Sequence, residues 1–152
     1  MKAALVVHTV TTSREKNMAT VLKMVEEAAE GGATVVLFAE AALTGLTNND
    51  DPAHDLPLGE PIPGAATQCL CAVAAERRIC VAIGLLEREG GKLYDAAILV
   101  DANGTIQLKY RRIQPQWHGH RADTNVYCHG SEVPKAETAF GSVSFLICGD
   151  LF

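Results

Sequence analysis

The chain has 152 residues, 48% of them hydrophobic and 20% charged, the profile of one globular domain with a buried core. Thirteen basic against 18 acidic residues give a net charge of -5, which offers no attraction to phosphate backbones or anionic membranes and argues against nucleic-acid and membrane partners. After Lys2 only five consecutive apolar residues follow, too few for a signal-peptide core or a membrane span, and five cysteines at irregular spacings read as reduced thiols of a cytoplasmic protein.

Lys2 to His8 is rich in β-formers and opens the chain as a strand. Thr12 and Glu15 have capping-box spacing, and Met18, Val21, Leu22, Val25 and Ala29 recur at helical intervals, so a helix is predicted from about Ser13 to Glu30, stopped by Gly31-Gly32. Ala33 to Phe38 is a short apolar run suited to a strand covered on both faces. Leu43 to Pro63 reads as a long polar loop, of the kind that shapes or covers a site. Gly64 to Arg78 is a second amphipathic helix, followed by strands at Ile79 to Leu86 and Leu93 to Val100 around the Gly90-Gly91 turn. Asp101-Ala102-Asn103-Gly104 closes a hairpin into Thr105 to Arg111. Gln114 to Pro134 is another long loop, and Glu137 to Phe140, Gly141 and Ser142 to Cys148 form a final strand, turn and strand. The double glycines mark a helix stop and a turn with no phosphate-loop pattern, and Cys69-x-Cys71 on a helix reads as packing.

Two residues are candidates for chemistry in this frame, each with a plainer alternative: Glu40 as a loop acid facing water and Cys148 as inert packing in an apolar strand. Glu40 lies two residues past the strand ending at Phe38, among apolar neighbours that favour its protonated form and suit it to general base work. Cys148 ends the run Val143-Ser144-Phe145-Leu146-Ile147 and is followed by Gly149 and Asp150, the place where α/β enzymes carry a nucleophile.

Three spaced segments add to this: Phe38-Ala39-Glu40-Ala41-Ala42-Leu43-Thr44-Gly45, Lys109-Tyr110-Arg111-Arg112-Ile113 and Leu146-Ile147-Cys148-Gly149-Asp150. Together they resemble the carbon–nitrogen hydrolase, or nitrilase, superfamily over nearly the whole chain. The resemblance implies an α/β fold, the N-terminal portion of a four-layer α-β-β-α sandwich, with residues 1–152 forming one domain truncated at its C-terminus. It also implies a Glu-Lys-Cys site: Glu40 as base, Cys148 as nucleophile, and a cation supporting the developing charge. Arg112 stands where the family carries that lysine. Lys109 is no replacement, because side chains alternate across a strand and Lys109 points away from the face of Arg112. A further family glutamate falls on or near His120.

The implied reaction is hydrolysis of a small amide, nitrile or carbamoyl compound through a thioester or thioimidate, with no metal or organic cofactor. A backbone N–H near Gly149 joins Arg112 in holding the negative oxygen or nitrogen, and the long loops wall the pocket; Trp117 and Tyr127 supply apolar surface there or form a small local core, and His120 positions the leaving group, takes a proton or is an ordinary loop residue. Family members assemble as oligomers, so a homo-oligomer is the expected state. Two rivals stand beside this reading. One is a zinc site built from His118, His120, Cys128 and His129; the other is a non-catalytic fragment or relative acting as a scaffold, self-associating through exposed strand edges.

Overall fold

Successive strands lie side by side in chain order in the computed structural model, which describes residues Met1 to Phe152. Strand β1 (Ala3–Val6) pairs in parallel with β2 (Val35–Phe38), and β2 with β3 (Cys80–Glu89). Each parallel step is bridged by a helix, α1 (Arg14–Glu30) between the first two strands and α3 (Ala65–Arg77) before the third, after the one-turn α2 (Pro52–Asp55). Antiparallel β4 (Lys92–Val100) and β5 (Ile106–Arg111) then continue the sheet as hairpins, with Gly90 and Gly91 at φ of 54° and 80° in the first turn. The two-residue β6 (Tyr127–Cys128) pairs in parallel with the start of β4, beyond the end of β5. A separate hairpin, β7 (Ala136–Thr138) with β8 (Gly141–Val143), completes the chain's regular structure.

The period of two along β3 sorts its residues into layers. Val81, Ile83 and Leu85 face α1 and α3 and form the main core with Val21, Val25, Leu70 and Ala74, all buried. Ala82 faces the other way and packs with Leu99, Leu108 and Ala136 beneath the β7–β8 hairpin. The chain is therefore α/β, a helix layer on a six-stranded sheet with a second small sheet on the far side. Near the β1 edge that far side is open: Leu5 and Leu37, paired in register, are 78% and 37% exposed. No helix is long and apolar enough to cross a membrane.

Three expected boundaries move. The first helix is capped by Ser13, whose hydroxyl accepts from the Lys16 N–H at 3.3 Å, so the Thr12–Glu15 spacing is not the cap. The loop at Leu43 to Pro63 contains α2, capped by the Asp51 side chain, and then a 3-10 turn. The last strand stops at Val143 because β7 pairs no further, and Ser144 to Ile147 run on as extended chain without a ladder. Cys148 therefore ends no strand; it begins a short 3-10 turn, Cys148–Leu151.

Candidate active site

The helix-free face of the sheet gathers side chains from four separate segments. Glu40 arrives first, on a turn that leaves β2 and lies across β3. Ala42 N–H donates to the Gly84 carbonyl at 2.9 Å, and Gly84 N–H donates back to Ala39 at 3.3 Å. This contact requires a glycine, since a β-carbon on Gly84 would sit 2.7 Å from Glu40 Cα and 2.9 Å from the Ala39 oxygen. From the other side, buried Asn17 of α1 donates to the Leu43 carbonyl at 2.9 Å and fixes the same turn to the helix layer.

Arg112 follows β5 directly, and its N–H donates to the Asp95 carbonyl of β4 at 2.8 Å, so the two side chains leave adjacent backbone on the same face. Its side chain is 4% exposed. Arg112 Nη1 donates to Glu40 Oε1 at 2.9 Å and lies 3.4 Å from Asp95 Oδ2. The other end of the guanidinium presses on Gly149, where a β-carbon would come within 2.4 Å of Nη2. Gly149 thus makes room for Arg112. Lys109 and Arg111 alternate away and share buried Glu87 at 2.6 and 2.7 Å; burial opposes that carboxylate's charge, but the two cations outweigh it and hold it below the ordinary range.

Asp95 carries the strongest electrostatic perturbation of the site. Burial, then the hydrogen bond and charge of Glu40, push its carboxyl up to about 8, against the opposing pull of Arg112. Nothing in the expected Glu-Arg-Cys arrangement anticipated it. The available signal was a single acid inside the apolar strand Leu93 to Val100.

Cys148 is exposed and takes φ of 41°, a left-handed conformation that costs a non-glycine residue about 1–2 kcal/mol. Asp150 holds that turn in place. Its Oδ2 accepts from Tyr110 Oη at 2.5 Å and Ile147 N–H at 2.9 Å, while Oδ1 accepts from Ile113 and Gln114 N–H at 3.1 and 2.8 Å. The cysteine turn is thereby tied to the residues that immediately follow Arg112. Burial opposes the Asp150 charge, but these four bonds outweigh it and keep its carboxyl below the ordinary range. Because the folded-state value is depressed, this stabilisation is present above the ordinary carboxylate pKa and is lost as pH falls through the folded value. Thermal melts of the native chain should lose midpoint steeply below about pH 4, and Asp150→Asn should lose much less. Parallel acid profiles for the two proteins would rule this clamp out.

A cavity of about 200 Å³ separates the Glu40 turn from the segment Phe145 to Cys148, with Ala82, Gly84 and Ala97 as its floor. Apart from Glu40 and Cys148 its lining is aliphatic and aromatic side chains and Gly84, so these two are the groups that can direct chemistry in it. A larger open cleft of about 310 Å³ is lined by Lys109, Arg111 and Glu89, but its cations are already paired with Glu87 and Glu89.

The loop residues lie elsewhere. Trp117, 5% exposed, packs with Leu86, Leu93 and Tyr127 in a small core of its own, its ring 5.9 Å from that of Tyr127. His120 is exposed on the same loop, and neither long loop lines the cavity. The loops instead pack on each other: buried Asp55 accepts from the Tyr127 hydroxyl, and Gly119 N–H donates to Asp50 at 2.8 Å. His118, Cys128 and His129 turn toward nearby backbone carbonyls, and no three His, Cys, Asp or Glu side chains gather as a metal site.

Comparison with known proteins establishes the family and the fold. The carbon-nitrogen hydrolase family pattern matches residues 2–152, and the chain belongs to that family. Among its relatives, a nitrilase of Bradyrhizobium diazoefficiens is 27% identical over 82% of this chain and 43% of its own length. An omega-amidase of Xenopus tropicalis is 30% identical over 74% of this chain and 40% of its own. The carbon-nitrogen hydrolase of Helicobacter pylori G27 superposes with a TM-score of 0.83 at 18% identity, over 97% of this chain and 52% of that one. An amidase of Nesterenkonia sp. AN1, in a mutant form with acrylamide added at its active-site cysteine, superposes at 0.82 with 22% identity over 99% of this chain and 58% of that one. These two superpositions establish the fold, and the chain spans 33% to 45% of the length of its sequence relatives.

Proposed function

We propose that Cys148, Glu40 and Arg112 hydrolyse a carbon–nitrogen bond of a small amide, nitrile or carbamoyl compound. The observation that carries this reading is convergence: Glu40 and Cys148, 108 positions apart in sequence, line one apolar cavity, with a buried cation hydrogen-bonded to the first and packed against the residue after the second.

In an amide, the Cys148 thiol gives its proton to Glu40 as the sulfur bonds to the carbonyl carbon. The tetrahedral oxyanion forms beside Arg112, and a positioned donor of this kind contributes roughly 3–4 kcal/mol to such a step. Glu40 returns the proton to the nitrogen, the C–N bond breaks and the amine leaves a thioester. Water then passes a proton to Glu40, adds to the thioester and expels the Cys148 sulfur, which recovers the proton as the acid departs. A nitrile follows the same course through a thioimidate, taking up water before ammonia leaves. The apolar lining favours small uncharged acyl groups.

The acyl intermediate is the direct test. Mass spectrometry of acid-quenched turnover mixtures should find the acyl mass on the Cys148 peptide and lose it after hydroxylamine treatment. Acylation confined to another cysteine, such as exposed Cys69, would defeat the assignment.

A further inference from the structure

Asp95 has no part in the scheme above, yet it is the most enclosed ionisable group of the site. Its side chain is 0% exposed, and one nitrogen, Arg112 Nη1, faces both its Oδ2 at 3.4 Å and Glu40 Oε1 at 2.9 Å. Two carboxyl groups thus flank a single cation. Two ionised carboxylates on one cation would leave a net negative charge beside the fully buried Asp95 side chain, and a proton held by one of them removes it. Asp95 Oδ1 is buried with no hydrogen-bond partner, a situation far less costly for a neutral carboxyl than for a carboxylate.

We propose that Asp95 is a positioning residue that shares one proton with Glu40, so that the two carboxyls together present one negative charge to Arg112. The proton resides mainly on Asp95, the more buried partner: burial and Glu40 raise its affinity to about 8, so it is held at neutral pH. Glu40 and Arg112 are the charged groups acting on Asp95, from the turn after β2 and the end of β5.

Its consequence for the reaction rests on the hydrolase reading. While Asp95 is neutral, protonation of Glu40 by the Cys148 thiol frees the full Arg112 charge to face the thiolate and then the oxyanion. Once Asp95 ionises, its own carboxylate claims Arg112 and adds a negative charge next to the one that must form. Turnover should therefore fall on the alkaline side as Asp95 loses its proton. The same ionisation acts on folding. Between the ordinary carboxylate pKa and about 8 the folded chain holds a proton that the unfolded chain has released, so this group's contribution to stability declines as pH rises through that window.

Asp95→Asn tests both effects, because the amide is nearly the same shape, cannot ionise and can still donate to Glu40. Thermal midpoints should show the variant gaining on the native chain from pH 5 to pH 8. The native pH profile of kcat/KM should break downward near pH 8, and the break should be absent in Asp95→Asn. A variant that fails to fold, or whose midpoint stays at a constant offset from the native one, overturns the shared proton. An unchanged alkaline break overturns the role in turnover. The thermal measurement needs no activity, so a chain that hydrolyses nothing refutes the hydrolase reading while leaving the proton-sharing claim to stand or fall on the midpoints.

Discussion

Gly84→Ala is expected to cut carbon–nitrogen hydrolysis by at least about 100-fold in a chain that still folds. The added methyl meets the Glu40 Cα at 2.7 Å and the Ala39 carbonyl at 2.9 Å, both backbone, so no side-chain rotation relieves the clash. The Glu40 turn has to lift from β3, breaking the two hydrogen bonds that join residues 39 and 42 to residue 84. Glu40 then loses its place against Arg112 and the cavity. A displacement of about 1 Å in a reacting group costs on the order of 100-fold in rate, and overpacking costs about 1–3 kcal/mol in stability. Kinetics alongside circular dichroism would separate the two: native secondary structure with kcat/KM down at least about 100-fold is the predicted outcome. Native kinetics in Gly84→Ala would mean that the position of Glu40 does not matter.

Arg112→Ala is expected to damage both stability and turnover, and Arg112→Lys to recover much of each. Removing the guanidinium leaves Glu40 without its ion-pair partner in a half-buried site, a loss of roughly 3 kcal/mol by the usual cost of breaking such a pair. Turnover should fall at least about 100-fold as the oxyanion loses its cation. Lysine is a sufficient replacement because one nitrogen, Nη1, makes the contacts to both Glu40 and Asp95, and an ammonium can occupy that point. The contact of Nη2 with Gly149 is packing that lysine gives up. Thermal midpoints and kcat/KM for both variants decide this, and a lysine variant as impaired as the alanine variant would show that the fork itself is required.

The sequence carried the sheet and helices well where local chemistry decided them. The 3.6-residue period of Val21 and Val25, the paired glycines at 90 and 91, and the alternation that separates Lys109 from Arg112 are short-range signals, and each has its expected structural counterpart. The strand expected to run to Cys148 failed because pairing is a long-range property: Ser144 to Ile147 have strand-like composition but no ladder partner beyond Val143. Trp117 looked like pocket lining because an aromatic in a loop has no period to place it, and it is buried in a core made by residues far away in sequence.

The site itself was legible only in part. Glu40, Arg112 and Cys148 could be named from motif-like segments, but what fixes them comes from residues whose roles exist only in three dimensions. Gly84 looks like an ordinary strand glycine until the Glu40 turn is laid over it. Asp150 follows the cysteine closely, yet its partners Tyr110, Ile113 and Gln114 lie 36 to 40 positions away. Asp95 is a single acid in an apolar strand, 17 residues from Arg112, and its effect arises from the cation and the second carboxyl folded against it.

Ammonia release from small amides and nitriles, compared between the native chain and Cys148→Ala at equal folded concentration, tests the central claim most directly. The predicted result is ammonia from the native chain with at least one substrate and none above background from Cys148→Ala, while the variant keeps its circular dichroism. Equal rates from the two proteins would contradict it.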